Sequence, residues 1–542
     1  MLNVKRKYVK TSVAVLLFFV ALAAGLAAGS WLPRHESMGH HDGATRNFAL
    51  RKLNYAMDLI ENQYVDSISY DSLVDNTLST LLYSLDPHSA YFSAEELRHS
   101  AEELSGHFEG IGALLRQMDD TVRILHAMPR SPASHAGLRP GDKILAVDGI
   151  PVAGVRMGIE EVIKKIKGAP MSRVSLTVLR HGTPKPLTIA LRRNAVHTNS
   201  VLYSGMLTDT IGYICLSSFT MTSHDEVRQA LRSLTARGMR HLVLDLRNNG
   251  GGLLGAATAI ADELLPGNEL IVYTQGAHQP RQETRSTPGG LFASGGVTVM
   301  LNEGSASASE IVGGAMQDND RGLIVGRRSF GKGLVQSQFP LPDGSALHLT
   351  TAHYYTPSGR SIQRSYDKGT EAYMMDYITR LYDLRQEDTL PATGDDTTRY
   401  YTRRGRVVYG GGGITPDRTL RPYTDTALVY LNQMNDKMLL DDVAYRYVES
   451  HYETLRKAYP TEDAFVDRYA VPDALFEELL RQADRAGLRR NAATLAKYGG
   501  YMRLLLKGRI AISLFGNAAN ARLMTQQDKE LEETLRIITA RQ

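Results

Sequence analysis

Apolar residues recur at helical spacing near both ends of the chain, whereas the middle contains short apolar runs separated by turns. Within residues 48–105, leucines and their apolar neighbours return every three or four positions, which is typical of amphipathic helices. Asp86 and Pro87 interrupt this series and favour a turn. Residues 424–542 repeat the helical spacing. The pattern therefore predicts an N-terminal helical region, a middle that contains strands, and a C-terminal helical region over residues 421–542.

Residues 106–195 change to short strands separated by glycine, proline and aspartate turns. The elements form a small mixed α/β domain in this interpretation. The expected strands lie at residues 110–115, 122–127, 143–147 and 174–179, and one helix is expected near residues 159–166.

Residues 196–420 alternate strand-like and helix-like segments, which predicts an α/β unit. Catalytic groups in such units gather where strands end and helices begin. Residues 366–408 are charged and rich in tyrosine, and they are interpreted as a surface insertion with a helix near residues 373–384. The expected strands are 211–216, 241–246, 270–274, 297–301 and 322–326, and the expected helices are 225–236, 254–265 and 306–317.

The first 34 residues combine a basic start with an apolar stretch. Four cationic residues, at positions 5, 6, 7 and 10, precede a charge-free run over residues 13–28, which is the usual pattern of an export signal or a membrane anchor. A retained anchor is favoured; a cleaved signal and a buried hairpin helix are the alternatives. The positive-inside rule then places the rest of the chain outside the inner membrane. Residues 35–105 follow as a linker and the N-terminal helices.

Composition excludes several classes of protein. The 542 residues are 43% hydrophobic and carry a net charge of +4, without a basic run interleaved with aromatics, so nucleic acid is not an expected partner. The single cysteine, Cys215, excludes an intrachain disulfide and is expected to be a buried thiol. His40, His41 and Asp42 lack further ligands at suitable spacing. Neither a metal nor a cofactor is expected.

Three serines on alternate positions follow the predicted strand 297–301, namely Ser305, Ser307 and Ser309. A lysine in a glycine-flanked turn, Lys332, follows in the same region. A serine hydroxyl needs a neighbouring base to act as a nucleophile, and a lysine can be that base only when burial lowers its pKa. The combination indicates a serine hydrolase whose base is an amine.

The same segments allow other interpretations. Residues 307–310 match a capping box that begins a helix. Residues 245–252 end in three glycines, whose backbone N–H groups suit an oxyanion and equally a phosphate. The run lacks the ending of a phosphate-binding loop and the spacing of a dinucleotide site, which disfavours nucleotide binding. If Lys332 and Gln336 lie on one helical face, the Gln336 amide is able to hold the amine.

The small domain resembles a PDZ domain over its whole length, from the loop at residues 108–112 to the turn at residues 136–142. In PDZ domains a glycine-containing loop offers backbone N–H groups to a peptide's terminal carboxylate, and the peptide adds as a strand to the sheet edge. Gly110, Ile111 and Gly112 take that role by resemblance. The alternative is that these glycines only form a tight turn.

Residues 245–252, 302–310 and 329–336 together resemble the carboxyl-terminal processing peptidases, also called tail-specific proteases. The resemblance extends over residues 48–417. In that family the middle serine of the triplet is the nucleophile and a lysine 25 positions later is the base, which here are Ser307 and Lys332.

The resemblance also implies supporting residues. Gln336 is the orienting third member, and the N–H groups of Ala308 and of a glycine, with Gly251 and Gly252 as candidates, form the oxyanion hole. Asp318 matches a recurring acidic position, for which a folding role and a chemical role both stay open.

The resemblance implies a multidomain α/β fold and an activity. We expect N-terminal helices, a PDZ domain at residues 106–195, an α/β serine-protease core at residues 196–420 and a C-terminal helical region. The expected activity is cleavage of exported or unfolded proteins that have free C-termini, in the cell envelope, either anchored or exported and soluble. A regulatory adaptor and a homodimer are left open as partners.

Two other classes of function are kept as alternatives. One is a PDZ-based peptide-binding scaffold or chaperone that does not cleave. The other is a hydrolase with a Ser/His/Asp triad that would use His348 or His353, although no GxSxG elbow is present.

Overall fold

The computed structural model describes residues 42–383, 398–421 and 428–541. The predicted signal or anchor, residues 1–34, lies outside the described residues, as do His40 and His41. Among the helices of the described ranges, none is long and apolar enough to cross a membrane.

The described residues divide into two compact units, with the boundary between residues 77 and 78. Helix α1, Asp42–Gln63, lies in the first unit, and helix α2, Tyr70–Tyr83, begins there. Strand β1, Ala90–Phe92, and helix α3, Ala94–Ser105, follow. The Ser93 side chain and Glu96 form a capping box that begins α3. The helical repeat seen in the sequence is therefore confirmed, with the expected break at Asp86.

The next domain is a small mixed α/β fold with its own buried core, which includes Ile124, Ile144 and Leu176. The elements are β2 His107–Gly110, β3 Ala113–Met118, β4 Thr121–Ala127, α4 Pro132–His135, β5 Lys143–Val147, β6 Ile150–Pro151, α5 Ile159–Ile166, β7 Arg173–Leu179, β8 Leu187–Arg192 and β9 Asn194–His197. Strands β3, β4, β5, β7 and β8 form one antiparallel sheet in that order, and β6 pairs with β5. Strands β2 and β9 pair separately.

The largest core belongs to an α/β unit built on two sheets. Its elements are β10 Val201–Met206, β11 Ile211–Leu216, α6 Ser223–Ala236, β12 His241–Asp245, α7 Leu254–Leu264, β13 Leu270–Gly276, β14 Gln279–Arg285, β15 Gly296–Leu301, α8 Ala308–Asp318, β16 Leu323–Gly326, β17 Leu334–Pro340, β18 Ala346–Tyr355, α9 Thr370–Asp383, β19 Arg399–Tyr401, β20 Val407–Tyr409 and β21 Arg418–Thr419.

The first sheet has the strand order β10-β11-β12-β15-β16-β21, and all its pairings except β10 with β11 are parallel. Its central strands read as nearly continuous apolar runs because both faces of a parallel sheet are buried. Helices α6, α7 and α8 contribute to the core cluster on one face. The carboxyl ends of β12, β15 and β16 therefore meet at one edge, where three loops begin.

The second sheet contains β1, β18, β13 and β14, with β17 paired to β18. The C-terminal helices are α10 Leu428–Asp436, α11 Leu439–Ala458, α12 Glu462–Arg468, α13 Asp473–Arg485, α14 Ala492–Phe515, α15 Asn517–Thr525 and α16 Lys529–Thr539. Helices α10 to α15 form a separate core that includes Met434, Phe465 and Leu506. The last helix, α16, packs on the first sheet through Leu531 and Ile538.

Candidate active site

Ser307 is the residue that caps the N-terminus of α8, in the loop that follows β15. Its backbone has φ +54° and ψ −112°, a conformation that favours glycine and that is found at functional sites when the surroundings enforce it. Ser307 is half-buried, whereas Ser305 and Ser309 are buried. The Ser305 and Ser309 hydroxyls donate to the carbonyl oxygens of Leu246 and Asn249, each at 2.8 Å. Ser307 is therefore the one serine of the triplet that a substrate can reach.

Lys332 lies in the turn between β16 and β17 and is partly buried. Burial lowers the pKa of its amine, while the nearby carboxylates of Glu310 and Asp86 oppose that change. The turn depends on Gly331, which has φ +93°, because a Cβ there would lie 2.7 Å from the Arg364 side chain. A lysine with a lowered pKa is what a base for a serine hydroxyl requires.

Glu310 joins the serine loop to the lysine turn. Its Oε2 atom accepts the backbone N–H groups of Ser307 at 2.8 Å and of Lys332 at 2.9 Å. Its Oε1 atom accepts the Ser329 hydroxyl at 2.6 Å and the Gly331 N–H at 2.7 Å. Glu310 is fully buried, and burial raises the pKa of its carboxyl to about 7 although these donors oppose the rise. One carboxylate thus fixes both segments.

Tyr354 provides a second connection between the same segments. Its hydroxyl contacts the carbonyl oxygens of Ser307, at 3.1 Å, and of Lys332. The side-chain groups themselves are not yet bonded: no hydrogen bond between the Ser307 hydroxyl and the Lys332 amine occurs in the ranges that the structure describes. Catalytic hydrogen bonds often form only when substrate binds.

Gln336 lies in β17, so the condition that Lys332 and Gln336 share a helical face is not met. The chain after Lys332 enters an antiparallel ladder with β18, in which Gln336 pairs with Thr350. The Gln336 amide donates to the Thr350 hydroxyl at 3.3 Å, and that hydroxyl donates to Asp86 at 3.1 Å. Gln336 is therefore connected to the surroundings of Lys332 through Thr350 and Asp86.

The turn at Asp86 and His88 lies close to Lys332, which sequence reasoning did not anticipate. Burial and the charge of Lys332 lower the pKa of His88 to about 4. The His88 ring lies 3.0 Å from the Tyr373 hydroxyl. Asp86 accepts the backbone N–H groups of His88 and Ser89, each at 2.7 Å. The sequence signal was the Asp-Pro-His-Ser turn, but only the fold brings it to the lysine.

The two histidines of the alternative triad contact side chains other than Ser307. The His348 ring contacts the Gln338 side-chain oxygen at 3.1 Å, and burial lowers the pKa of His348. His353 belongs to β18 and stands beside Tyr355, at 6.4 Å between ring centres. Among the described residues, neither histidine has a hydrogen bond to Ser307.

The glycine run after β12 lies against Ser307. A Cβ on Gly251 would lie 2.9 Å from the Ser307 Cβ and 3.1 Å from the Ala308 nitrogen. The Gly251 N–H donates to the Asn249 side chain at 2.9 Å, which occupies that donor. In the described part of the chain, the N–H groups of Ala308 and Gly252 have no hydrogen-bond acceptor. These N–H groups are available to a ligand.

The serine and glycine loops are also held together by Asn248 and Asn302. The Asn302 side chain accepts the Asn248 N–H at 2.8 Å and donates to the Asn248 side chain at 2.9 Å. Asn248 has φ +57°, which asparagine tolerates better than most residues. The contact fixes the glycine run relative to the serine.

The loop at residues 110–112 has the geometry of a carboxylate-binding loop. Gly112 has φ +73°, and a Cβ there would lie 2.3 Å from the Ser131 Cβ, so the position requires glycine. The N–H groups of Ile111 and Gly112 have no acceptor within the described ranges, although Ile111 is buried. Strand β3, which follows directly, is an edge strand that, among the described strands, pairs only with β4. A peptide strand can therefore add beside β3.

A cavity of about 660 Å³ lies beside the glycine run. Its lining includes Gly251 and Gly252 from the core, Phe108 and Lys167 from the small domain, and Glu102 from α3. Lys167 and Glu102 form an ion pair of 2.6 Å. The small domain and the glycine run thus border one space that can hold an extended chain.

Asp318 and Cys215 are both held in surroundings that favour a structural role. Asp318 is buried and forms an ion pair of 2.7 Å with Arg360, which is also fully buried. Burial raises the pKa of the Cys215 thiol to about 12, so the thiol stays protonated. In the described part of the chain, no group of three or more candidate ligands could hold a metal ion.

Comparisons with known proteins match three segments of the chain to protein families. Residues 210–372 match the model of peptidase family S41, residues 123–180 match the PDZ domain, and residues 430–516 match a family of unknown function. The chain is 34% identical over 353 residues to the carboxy-terminal-processing protease of Bartonella bacilliformis, covering 64% of this chain and 80% of that protein.

Other relatives have related names. The carboxy-terminal processing protease CtpA of Bacillus subtilis is 31% identical over 362 residues, covering 64% of this chain and 75% of that protein. Among solved structures, a photosystem II D1 C-terminal processing protease is 26% identical, with a TM-score of 0.35, and covers 68% of this chain and 86% of that one.

Proposed function

Because the chain belongs to the carboxy-terminal processing proteases of peptidase family S41, we propose that it cleaves proteins whose C-terminal tail its PDZ domain has bound, by Ser/Lys chemistry. Family membership supports a serine protease with a PDZ domain. The observation that carries the Ser/Lys assignment is the Glu310 carboxylate, which binds the backbone N–H groups of both Ser307 and Lys332.

The first chemical step is acylation. The neutral Lys332 amine accepts the proton of the Ser307 hydroxyl while the oxygen attacks the scissile carbonyl carbon. The tetrahedral intermediate then collapses, the C–N bond breaks, and the leaving amine takes the proton from Lys332. Water attacks the resulting ester with Lys332 again acting as the base, which releases the new C-terminus.

The developing oxyanion needs donors close to Ser307. We assign the N–H of Ala308, which also lies at the positive end of α8, and the N–H of Gly252. The Gly251 N–H is used by Asn249, which disfavours it as the second donor. Gly251 instead allows the loop to approach Ser307, because any side chain there would collide with the serine.

Substrate binding completes the site in this proposal. The serine and lysine groups lack a mutual hydrogen bond although Glu310 and Tyr354 hold their backbones together. A bound peptide that excludes water would lower the pKa of Lys332 further and favour that bond. We assign Gln336, Thr350 and Asp86 the role of orienting the amine, through the hydrogen bonds that connect Gln336 to Thr350 and Thr350 to Asp86.

Tail recognition is assigned to the loop at Gly110, Ile111 and Gly112 and to the free edge of β3. The unpaired N–H groups there suit a terminal carboxylate, and an extended tail would continue toward the cavity beside Gly251. Docking of the tail at a distance positions the scissile bond, because the binding energy of the tail offsets the entropy that the substrate loses when it is oriented in the site.

The cellular location also stays a proposal. The basic and apolar pattern of residues 1–34 supports export or anchoring at the inner membrane, with the protease outside the cytoplasm. The homodimer and the regulatory adaptor remain predictions from the sequence.

The decisive test compares cleavage of an unfolded protein with a free C-terminus by the wild type and by Ser307→Ala and Lys332→Ala variants. We expect the wild type to cleave and both variants to fold normally but not cleave, as judged by circular dichroism and by mass spectrometry of the products. A substrate with an amidated C-terminus should be cleaved much more slowly, because it cannot bind the loop at Gly112 as a carboxylate.

The outcomes separate the alternatives. Normal cleavage by either variant would exclude the Ser/Lys dyad. Equal cleavage of free and amidated substrates would exclude tail docking. Binding of the tail without any cleavage by the wild type would favour the peptide-binding scaffold.

A further inference from the structure

Helix α16 covers the face of the catalytic sheet opposite to helices α6, α7 and α8. Leu531 and Ile538 are nearly inaccessible to solvent and pack with Tyr213, Val243 and Val325, which belong to β11, β12 and β16. The helix is therefore part of the catalytic unit, although it follows the helical region in sequence. Its first turn lies near the ends of the strands that carry the catalytic loops.

Arg247 belongs to the glycine loop and binds this first turn. Its guanidinium donates to both oxygens of Asp528, with bonds of 2.5 Å and 3.3 Å, and to Glu530 at 2.9 Å. Its Nε and Nη2 atoms also donate to Asp245, the last residue of β12, with bonds of 2.6–3.1 Å. Arg247 is thereby fixed between the strand and the helix, four residues before Gly251.

Arg327 makes the corresponding connection for the other two loops. It follows β16 and lies five residues before Lys332, and its guanidinium donates to Glu303 at 2.8 Å, four residues before Ser307. It also donates to the second carboxylate oxygen of Glu530. Glu530 therefore binds one arginine with each oxygen, and through them it connects the glycine loop, the serine loop and the lysine turn.

The ion pairs of Arg247 and Arg327 are partly buried, so each charge depends on its partner for stabilisation. The side chains of Arg247 and Arg327 are 14% and 8% exposed, and that of Glu530 is 17% exposed. Burial alone would lower the pKa of both guanidinium groups, but the surrounding carboxylates reverse this, so both stay charged. A buried charge that loses its partner moves to regain solvent or another partner.

We propose that Asp528 and Glu530 are positioning residues for catalysis, acting through Arg247 and Arg327 to set the distance between the oxyanion donors, Ser307 and Lys332. The inference rests on the proposed function. Both residues lie outside the segments that match the S41, PDZ and unknown-function families. A displacement of about 1 Å in such an arrangement is enough to lower the rate about a hundredfold.

The test uses the isosteric variants Glu530→Gln and Asp528→Asn in the full chain, each of which removes the negative charge and replaces one acceptor oxygen with an NH2 group. The matched control is Glu532→Gln, because Glu532 lies on the same helix, is exposed and, among the described residues, has an ion pair with Arg536 alone. We expect kcat to fall at least about tenfold in the Glu530 variant with KM changed less than about twofold. A peptide aldehyde inhibitor, which requires the oxyanion donors, should bind correspondingly more weakly.

A second measurement does not depend on catalysis. Hydrogen exchange is followed in a Ser307→Ala background with and without Glu530→Gln. We expect faster exchange in residues 246–253 and 327–333 and unchanged exchange in strands β10 and β11. This result decides the inference even if the wild type cleaves nothing, which would count against the proposed function alone.

Three results would overturn the inference. The first is that both variants keep the kcat of the wild type and bind the inhibitor as tightly as the wild type does. The second is unchanged exchange in the two loop segments. The third is a uniform rise in exchange across the sheet together with a lower melting temperature, which would indicate general support of the fold. If Glu530→Gln does not fold, the same measurements are made on Asp528→Asn alone. In that variant Glu530 still binds both arginines, so we expect it to fold.

Discussion

The serine triplet shows how backbone surroundings distinguish one serine, the proposed nucleophile Ser307, from two others with the same side chain. Ser305 and Ser309 use their hydroxyls to hold the carbonyl oxygens of the neighbouring loop, at Leu246 and Asn249. Ser307 differs because its backbone conformation places it at the surface of the site. Two of the serines therefore stabilise the loop against which the third can act.

The pH dependence of cleavage should follow Lys332. Only the neutral amine can accept a proton, so kcat/KM should rise with pH through the pKa of Lys332, which burial places below the ordinary lysine value of 10.5. The groups around it are Glu310, Asp86, His88 and His348.

Asp86→Asn provides the control for this assignment. Since the Asp86 carboxylate raises the pKa of Lys332, its removal should shift the midpoint of the profile to lower pH. A profile that is flat from mildly acidic to alkaline pH, or a shift to higher pH in the variant, would contradict an amine base.

Glu310→Gln should reduce cleavage on the order of a hundredfold. Four donors surround the two carboxylate oxygens, and an amide would place its own N–H groups against two of them. The serine loop and the lysine turn should then separate. Steady-state kinetics and a fluorophosphonate probe of Ser307 measure the effect, and wild-type labelling would show that the carboxylate is dispensable.

The sequence indicated Ser307 and Lys332 because each stands in a short, distinctive segment. It indicated Glu310 only as a helix cap, since the bond from the Lys332 N–H spans 22 residues and depends on how the loops fold. The neighbours Asp86 and Glu530 are still farther away in sequence. Their contacts depend on tertiary packing, which periodicity and spacing do not reveal.

At the scale of elements, the prediction of strands and helices is confirmed where the apolar pattern is long. The parallel strands were found because they are apolar runs at the expected lengths. The contact between Gln336 and Lys332 was expected only on the condition that both lie on one helical face, and pairing with β18 makes this segment a strand instead. Pairing with a distant strand overrides local spacing.

Helix α11 holds the PDZ domain through a row of acidic residues. Glu449 binds Arg123 at 3.4 Å and Lys143 at 3.5 Å, with its side chain only 10% exposed. Asp442 binds Arg116 at 2.7 Å. Glu449→Gln should therefore loosen the docking and accelerate hydrogen exchange in β3 and β4.

Glu453 supplies the matched control for that prediction. It pairs with Arg139, but its side chain is 72% exposed, so solvent screens the pair. Glu453→Gln should leave exchange in β3 and β4 unchanged. Equal effects of the two variants would show that burial of the pair at Glu449 does not matter.

At the scale of the whole molecule, the chain builds separate hydrophobic cores for the PDZ domain, the catalytic unit and the C-terminal helices. The helices serve as a support to which the PDZ domain is fixed, while α16 belongs to the catalytic unit. Damage to one core should therefore affect the others mainly through these contacts.

Phe465→Ala tests this division. Phe465 is fully buried, stacks on Tyr469 at 4.5 Å between ring centres and lies 5.7 Å from the Phe515 ring. Its truncation should cost the helical core about 3–5 kcal/mol. Calorimetry should show an earlier transition for the helices while the catalytic unit melts as before. A single transition shifted as a whole would show that the cores unfold together.

The backbone conformation of Ser307 sets the thermal stability of the protein against its proposed activity. A φ of +54° with ψ of −112° stores on the order of 1–3 kcal/mol in any residue with a Cβ, and glycine would release it at a cost of about 0.4–1 kcal/mol in the unfolded chain. Ser307→Gly should consequently melt at a higher temperature than both Ser307→Ala and the wild type, which calorimetry can compare. A laboratory search for heat-resistant forms of this protein that ignores turnover would thus enrich the very replacement that removes the proposed nucleophile.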